Sequence, residues 1–224
     1  LERPRNRRPK QRGEQRSGGK LNGEDRELLE RLVVTESDRL SRLLSEFLEF
    51  SALRMGRARE VDLAALTRDC LTLVRQHAEV GGGIRFILSG MDEPVRIPGD
   101  VDLLHRAVFN LILNAAQFAG PSGMVRLDIA GREECPPPPG GGIPAPVCLR
   151  ASDSGPGIAD EDLPRIFDPF YTNRPGGSGL GLALVHRAVE AHRGAVLVSR
   201  GREGGAEFSV FLPGKLSPDT EGAS

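Results

Sequence analysis

Two carboxamides, Asn110 and Asn114, stand one helical turn apart in an otherwise apolar stretch, residues 100–118, DVDLLHRAVFNLILNAAQF. Arg106, Asn110, Asn114 and Gln117 follow one another at spacings of four, four and three, which lines them up along one edge of a helix. A partly buried amide without a partner costs about 1–3 kcal/mol, so the pair has to be satisfied. Two solutions are open. The amides can bond a neighbouring loop or backbone, or they can turn their oxygens toward a hard cation such as Mg²⁺, which keeps several waters and commonly arrives with phosphates.

A second group is Asp153-Ser154-Gly155-Pro156-Gly157-Ile158, at the end of a run in which Val147, Leu149 and Ala151 alternate. A carboxylate held at a strand end accepts a hydrogen bond from the exocyclic amine of adenine and repels the carbonyl that guanine presents there. Glycines beside it let backbone approach a flat ligand, although the same residues also spell an ordinary turn. A third group is GGSGLGL, residues 176–182, running into a helix. Free N–H groups and the positive end of the helix dipole make such a junction a phosphate cradle. It holds no Gly-Lys-Ser/Thr and follows no strand directly, so it is neither a Walker A loop nor the dinucleotide fingerprint. Between these loops, residues 167–174, FDPFYTNR, offer Phe167 and Phe170 as tethers for a flap and Arg174 to reach a phosphate; a tethered surface loop is the plainer reading.

Patterning supplies the elements that must position these groups. Asp100 is a good N-cap, and Leu104, Val108, Leu111, Ala115 and Phe118 recur at helical spacing, which predicts a helix over 100–118. Upstream, Leu28, Leu29, Leu32, Val33, Leu40, Leu43, Leu44, Phe47 and Leu48 predict a long amphipathic helix through about residue 53. Its apolar stripe must dock on a second copy or on its own domain. A strand is expected near 60–63 and a helix over 64–77, closed by the glycines at 81–83. Strands follow at 84–88, 94–97, 125–129 and 147–151, with a helical turn at 160–167, a helix over 180–192 and closing strands at 195–199 and 206–212. Residues 136–146, PPPPGGGIPAP, read as a floppy hairpin loop, a polyproline ligand being the lesser alternative. Several short strands mixed with helices in this order imply an α+β layered sandwich.

With 224 residues, 38% of them hydrophobic, the chain can hold one ordinary domain plus a smaller element. No run is apolar over a bilayer's thickness and no signal-peptide pattern opens the sequence, so a cytoplasmic chain without membrane contact is expected. Cys70, Cys135 and Cys148 form no CxxC or Cys/His cluster, which points to reduced thiols and away from zinc. A net charge of -1 gives no global field for nucleic acid, and none is expected as a partner. Residues 1–20 nevertheless carry eight Lys or Arg with two prolines and three glycines, and 1–22 read as a basic disordered segment.

Taken in order, an asparagine-bearing helix, DxGxG after a strand, an aromatic hinge and GxGLGL opening a helix make residues 60–213 resemble a known family. It is the catalytic ATP-binding domain of two-component sensor histidine kinases, in the GHKL superfamily shared with heat-shock chaperone and mismatch-repair ATPases. The resemblance puts Asn110 and Asn114 in the N box, Asp153, Gly155 and Gly157 in the G1 box, Phe167 and Phe170 in the F box, and Gly177, Gly179 and Gly181 in the G2 box. GGAEFSVFLP, residues 204–213, fits the family's closing strand. What it implies is a two-layer α/β sandwich of the histidine kinase-like ATPase fold. It also implies that Asn110 and Asn114 are catalytic, Asn114 ligating the Mg²⁺ of bound ATP with Asn110 assisting, while Asp153 holds the adenine amine. Further nucleotide contacts would come from Gln117, Gly155, Gly157, Ile158, Arg174, Gly177, Ser178, Gly179, Leu180, Gly181 and Leu182. Gln117 stands where many relatives place a basic residue, and Arg106 where some carry an acid that polarises the attacking imidazole.

By the same likeness, residues 24–54 resemble the second helix of the dimerisation and phosphoacceptor domain, which implies a homodimer and a response-regulator receiver domain as partner. The expected organisation is 1–22 basic segment, 23–58 dimerisation helix, 59–214 catalytic domain and 215–224 disordered tail. The family's first helix should carry a histidine, but residues 1–22 hold none, and His77, His105, His186 and His192 all fall in the ATP-binding part, as helix-surface or helix-end residues. Residues 1–22 therefore read as that helix's coding region out of frame, or a cloning junction, which the other two frames of the gene would test. The expected activity is transfer of the γ-phosphoryl of Mg·ATP to a histidine and onward to a response-regulator aspartate. The alternative is an acceptor-less nucleotide-binding dimer that regulates a partner. A relative acting on serine or hydrolysing ATP is argued against by the leucine-rich helix.

Overall fold

In the computed structural model, which describes residues 23–136, 138–174 and 176–215, the chain runs α1 (Gly23–Ser51), β1 (Arg59–Asp62), α2 (Leu63–Arg75), β2 (Arg85–Ser89), β3 (Arg96–Gly99), α3 (Val101–Ala119), β4 (Met124–Ala130), β5 (Pro146–Asp153), α4 (Gly181–Ala191), β6 (Ala195–Arg200) and β7 (Ala206–Pro213). The basic segment and the tail beyond residue 215 lie outside the described residues. The chain divides into two compact units, Leu1–Arg42 and Leu43–Ser224.

Alternation along the strands sorts residues between two faces. Val125, Leu127 and Ile129 of β4, Val147, Leu149 and Ala151 of β5, and Phe208, Val210 and Leu212 of β7 share one core. The same core takes Leu66, Cys70 and Val74 of α2, Leu104, Leu111 and Ala115 of α3, and Val185 and Val189 of α4. The out-of-phase positions form charged ladders instead: Asp128 accepts from Ser89 and Arg150 at 2.7 Å each, and Arg126 pairs with Glu203 at 2.9 Å. The result is a two-layer α/β sandwich, its sheet ordered β2-β4-β5-β7-β6, parallel between β2 and β4 and antiparallel elsewhere. A separate β1-β3 ribbon stands beside it.

Capping fixes the boundaries that periodicity leaves loose. Asp62 is the N-cap of α2, accepting from Ala64 and Ala65, and also accepts from the Val95 N–H at 3.2 Å, so the helix begins at Leu63 and β3 starts after Val95. The far end of α2 departs from expectation. Gln76 is its C-cap and tight turns through Val80 follow, so the glycines at 81–83 lie beyond the helix rather than closing it. In α3 the buried stripe drifts from Ala115 to Ala119, which leaves Phe118, expected in the core, 37% exposed. Residues 160–167, where a helical turn is expected, form consecutive hydrogen-bonded turns.

The proline-glycine insert does join two antiparallel neighbours, β4 and β5, but it is tethered rather than floppy. Cys135 and Ile143 pack with Ala130, Cys148 and Phe211 in a small second cluster on the other side of the sheet. Burial pushes the Cys70 and Cys148 thiols up to about 12, so both are neutral packing residues at physiological pH.

Candidate functional site

Asp153 is the last residue of β5 and in phase with Val147, Leu149 and Ala151, so its carboxylate enters the layer between sheet and helices. Only 1% of it is exposed. Oδ1 accepts from the N–H groups of Gly155 at 2.8 Å and Ala206 at 3.4 Å. Burial raises the carboxyl's pKa, and those two bonds offset it only in part. Among the described residues Oδ2 has no hydrogen-bond partner, so it retains its acceptor capacity.

The backbone crowds this carboxylate. A Cβ at Gly205 would run into Oδ1, and one at Gly155 would run into the carbonyl of Phe118, which is how the end of α3 meets the loop after β5. Gly157 takes φ +82°, and Ile158 packs on the core behind it. Ser154 stitches the loop to the start of β4: its N–H donates to the Met124 carbonyl at 3.0 Å, and its Oγ accepts from the Met124 N–H at 2.8 Å.

The polar edge of α3 faces the start of α4. Asn110 donates to the Arg106 carbonyl at 2.8 Å, and its Oδ1 lies beside Gly181, where an added Cβ would sit 3.1 Å away. Asn114 is half-buried and has no hydrogen-bond partner among the described residues. Helix α4 begins without a side-chain cap, its N-cap being Leu180, whose N–H donates to Ser178 Oγ at 3.3 Å. Its first backbone N–H groups are therefore uncapped. The side chains of Leu180 and Leu182 pack inward.

The loop of residues 167–174 is pinned at its base, where the Phe170 N–H donates to the Gly179 carbonyl at 3.0 Å. Gly179 has φ +69° and no room for a Cβ against Phe170 and Tyr171. Phe167 is a tether, packed on Phe208 and His186. Phe170 is not a buried one: it is 58% exposed with φ +68°, its ring stacked at 6.1 Å on Phe47, and Tyr171 takes the inner place. Asp162 holds the Tyr171 hydroxyl and, at 2.5 Å, the Asn173 amide.

Gln117 and Arg174 meet on one residue. Glu79 Oε2 accepts from Gln117 Nε2 at 2.8 Å and from Arg174 Nη2 at 2.9 Å. Sequence reasoning missed Glu79, and it also missed Gly205 and Ala206 as neighbours of Asp153, although the GGAEF run that contains them marked the closing strand. His192, the C-cap of α4, is structural: Nδ1 donates to the Ala188 carbonyl at 2.7 Å, and Nε2 accepts from the Asp100 N–H at 2.9 Å, tying the end of α4 to the start of α3.

Residues 99–216 match the family model described as "Histidine kinase-, DNA gyrase B-, and HSP90-like ATPase". The chain belongs to this ATPase family. It is similar to the sensor histidine kinase ZraS of Escherichia coli O157:H7, 35% identical over 185 residues that make up 83% of this chain and 38% of ZraS. The sensory histidine kinase/phosphatase NtrB of Rhodobacter capsulatus is 35% identical over 199 residues, 86% of this chain and 54% of NtrB. The chain thus spans from about two fifths to about half of the length of these curated relatives. Among solved structures, full-length ShkA in complex with AMPPNP superposes with a TM-score of 0.64 at 29% identity, covering 89% of this chain and 41% of ShkA. Among the described residues no helix is long and apolar enough to cross a membrane.

Proposed function

We propose that this ATPase-family chain is the catalytic part of a cytoplasmic sensor histidine kinase, binding Mg·ATP and passing its γ-phosphoryl to a histidine and then to an aspartate of a response regulator. The observation that carries the reading is Asp153, a buried carboxylate with one oxygen held by backbone and the other open to a ligand amine. Adenine offers such an amine; guanine offers a carbonyl that the carboxylate repels.

The phosphates belong at the other end of the site, between the asparagine edge of α3 and the uncapped start of α4. Gly177, Ser178, Gly179 and Gly181 supply backbone there, and Arg174 a charge. Asn114 offers a neutral hard oxygen at a half-buried position, a donor suited to Mg²⁺, which brings phosphates and waters as its remaining ligands. Bound there with Asn110 beside it, Mg²⁺ would supply charge stabilisation to the transferring phosphoryl group. Transfer itself breaks the bond between γ-phosphorus and the β–γ bridging oxygen as a neutral imidazole nitrogen bonds that phosphorus, so the protein's task is positioning.

Residues 59–214 would form the catalytic domain and 23–58 the dimerisation segment. Dimerisation through residues 24–54 is supported by the exposure on a single chain of Leu28, Leu32, Leu40, Leu44 and Leu48, each at least half exposed.

Titration with ATP, and phosphotransfer from γ-labelled ATP to an added histidine-bearing dimerisation domain, test the proposal. Acid-labile label on that domain is expected, lost with Asp153→Ala. A second reading concerns the histidines present: His192 is committed to Asp100 and Ala188, and His77, His105 and His186 lie in the proposed catalytic domain. It is a nucleotide-binding dimer that regulates a partner, and ATP affinity with no transfer to any added histidine domain would select it.

A further inference from the structure

The proposed phosphate end brings two hydrogen-bond-donating side chains, Arg174 from the flap and Gln117 from the last turn of α3, onto one carboxylate oxygen, Glu79 Oε2. Glu79 comes from neither element. It sits in the loop after α2, 95 residues from Arg174 and 38 from Gln117, its own N–H donating to His77 Nδ1 at 3.3 Å. The Glu79–Arg174 pair is 2.9 Å long, and its two side chains are 39% and 31% exposed. A pair so open to water is weak and reversible. Among the described residues it is also the one side-chain contact of the Arg174 guanidinium, which has five N–H donors.

Two consequences follow from charge alone. With Glu79 in place, Arg174 brings no net positive charge to incoming phosphates. A carboxylate close to a triphosphate is repelled by it, whereas the Asp162 contacts that hold Tyr171 and Asn173 carry no such conflict, being made to the flap's own uncharged groups.

We propose that Glu79 is a positioning residue which holds Arg174 in the nucleotide-free protein and surrenders it to phosphate, so that affinity is set by a competition that only phosphorylated ligands enter. The inference rests on the proposal that ATP binds with its phosphates at this end. Holding the arginine beside α3 keeps the flap near the site, and the opposing charge discounts the affinity of every ligand that needs Arg174. The discount falls most heavily on the ligand with the most phosphate, so Glu79 narrows the affinity gap between ATP and less phosphorylated ligands while leaving adenosine untouched.

The experiment is a calorimetric titration of ATP, ADP and adenosine into the wild-type chain, Glu79→Gln, Arg174→Gln and the double variant, at low and raised salt. Glutamine keeps the size and a hydrogen-bonding oxygen for Gln117 but removes the charge. The expected result is ATP binding about three- to fivefold tighter in Glu79→Gln, a smaller gain for ADP and no change for adenosine. The gain should vanish in the Arg174→Gln background and shrink with salt. Glu79→Asp, which keeps the charge, should stay closer to wild type than Glu79→Gln.

Unchanged or weaker ATP binding in Glu79→Gln, an equal change for adenosine, or a gain that survives without Arg174 would overturn the proposal. These outcomes are distinguishable from failure of the ATP reading itself. If wild-type protein binds ATP and Asp153→Ala abolishes it while Glu79→Gln does nothing, only the role of Glu79 falls; if wild-type protein binds no ATP, both do.

Discussion

At one end of the site Asp153 is 1% exposed, one of its oxygens already holds two backbone N–H groups, and neighbouring glycines leave no room for a Cβ. At the other end Asn114 is half-buried without a described partner, helix α4 starts uncapped, and Arg174 rests on a half-exposed carboxylate. On the proposed reading, the first is finished before any ligand arrives and the second is completed by one. Ligand chemistry accounts for the difference. A flat heterocycle is distinguished by one amine, which only a fixed acceptor can read, whereas charged phosphates are held by donors that water satisfies until then.

The sharpest way to break this comparison is Asp153→Ala. A hydrogen bond to a buried charged group is worth about 1.5–3 kcal/mol, so affinity should fall about 10- to 150-fold, by the same factor for ATP, ADP and adenosine. A loss that grows with phosphate number would place Asp153 at the wrong end. The next effect is on stability. Gly205→Ala forces a methyl group against Asp153 and should cost about 1–3 kcal/mol in chemical denaturation. Gly181→Ala, whose Cβ would sit 3.1 Å from the movable amide of Asn110, should change stability by less than about 0.5 kcal/mol. Similar losses at both glycines would mean that the two ends are equally rigid.

Asn114→Ala sharpens the contrast from the phosphate side. The expected loss is about tenfold for ATP with Mg²⁺, corresponding to about 1.4 kcal/mol, and close to none for adenosine. Chelating the metal should bring wild type and variant together. A loss that persists for adenosine would make Asn114 a structural residue of α3.

The two ends also differed in how far the sequence announced them. Local signals sufficed for α3, since its N-cap at Asp100 and its apolar spacing need no partner, and for the alternation of β5 that ends on Asp153. Gly155 and Gly157 could be read because they adjoin Asp153 in the chain. Gly205 and Ala206 could not be placed beside it, because they arrive through the β5–β7 register, in which Ser152 faces Glu207, across an intervening helix and strand. No local pattern chooses that partner. Glu79 was hidden for the same reason: an acid in a polar loop has no periodicity, and its role exists only once α3 and the flap converge on it. Phe170 failed differently, because the F-box likeness pointed to it while its positive φ turns the ring outward and hands the inner place to Tyr171.

The smallest expected effect concerns the proton on Asp153. Burial, only partly offset by the Gly155 and Ala206 N–H groups, raises this carboxyl above its ordinary value, so the fold favours its protonated form. Its contribution to stability is therefore fully present below the unfolded-state value and is lost as pH rises through the raised one; at neutral pH the ionised group costs stability. Asp153→Asn should then be more stable than wild type at pH 7, and the gap should close as pH falls through the raised value. The N-cap Asp100 serves as the control of opposite sign. Burial raises its pKa too, but the N–H groups of Leu103, Gly56 and Asp102, with His192, outweigh that and leave it lowered, so its contribution is present above the unfolded value and lost in acid. The proposed binding adds the link to function, because an adenine amine that donates to this carboxyl favours its ionised form. Adenosine, which carries no phosphate to titrate, should bind more weakly as pH drops from 7 toward the ordinary carboxylate range, and Asp153→Asn should flatten that dependence. A pH-independent wild-type affinity would show that the buried oxygen is not the one that meets the base.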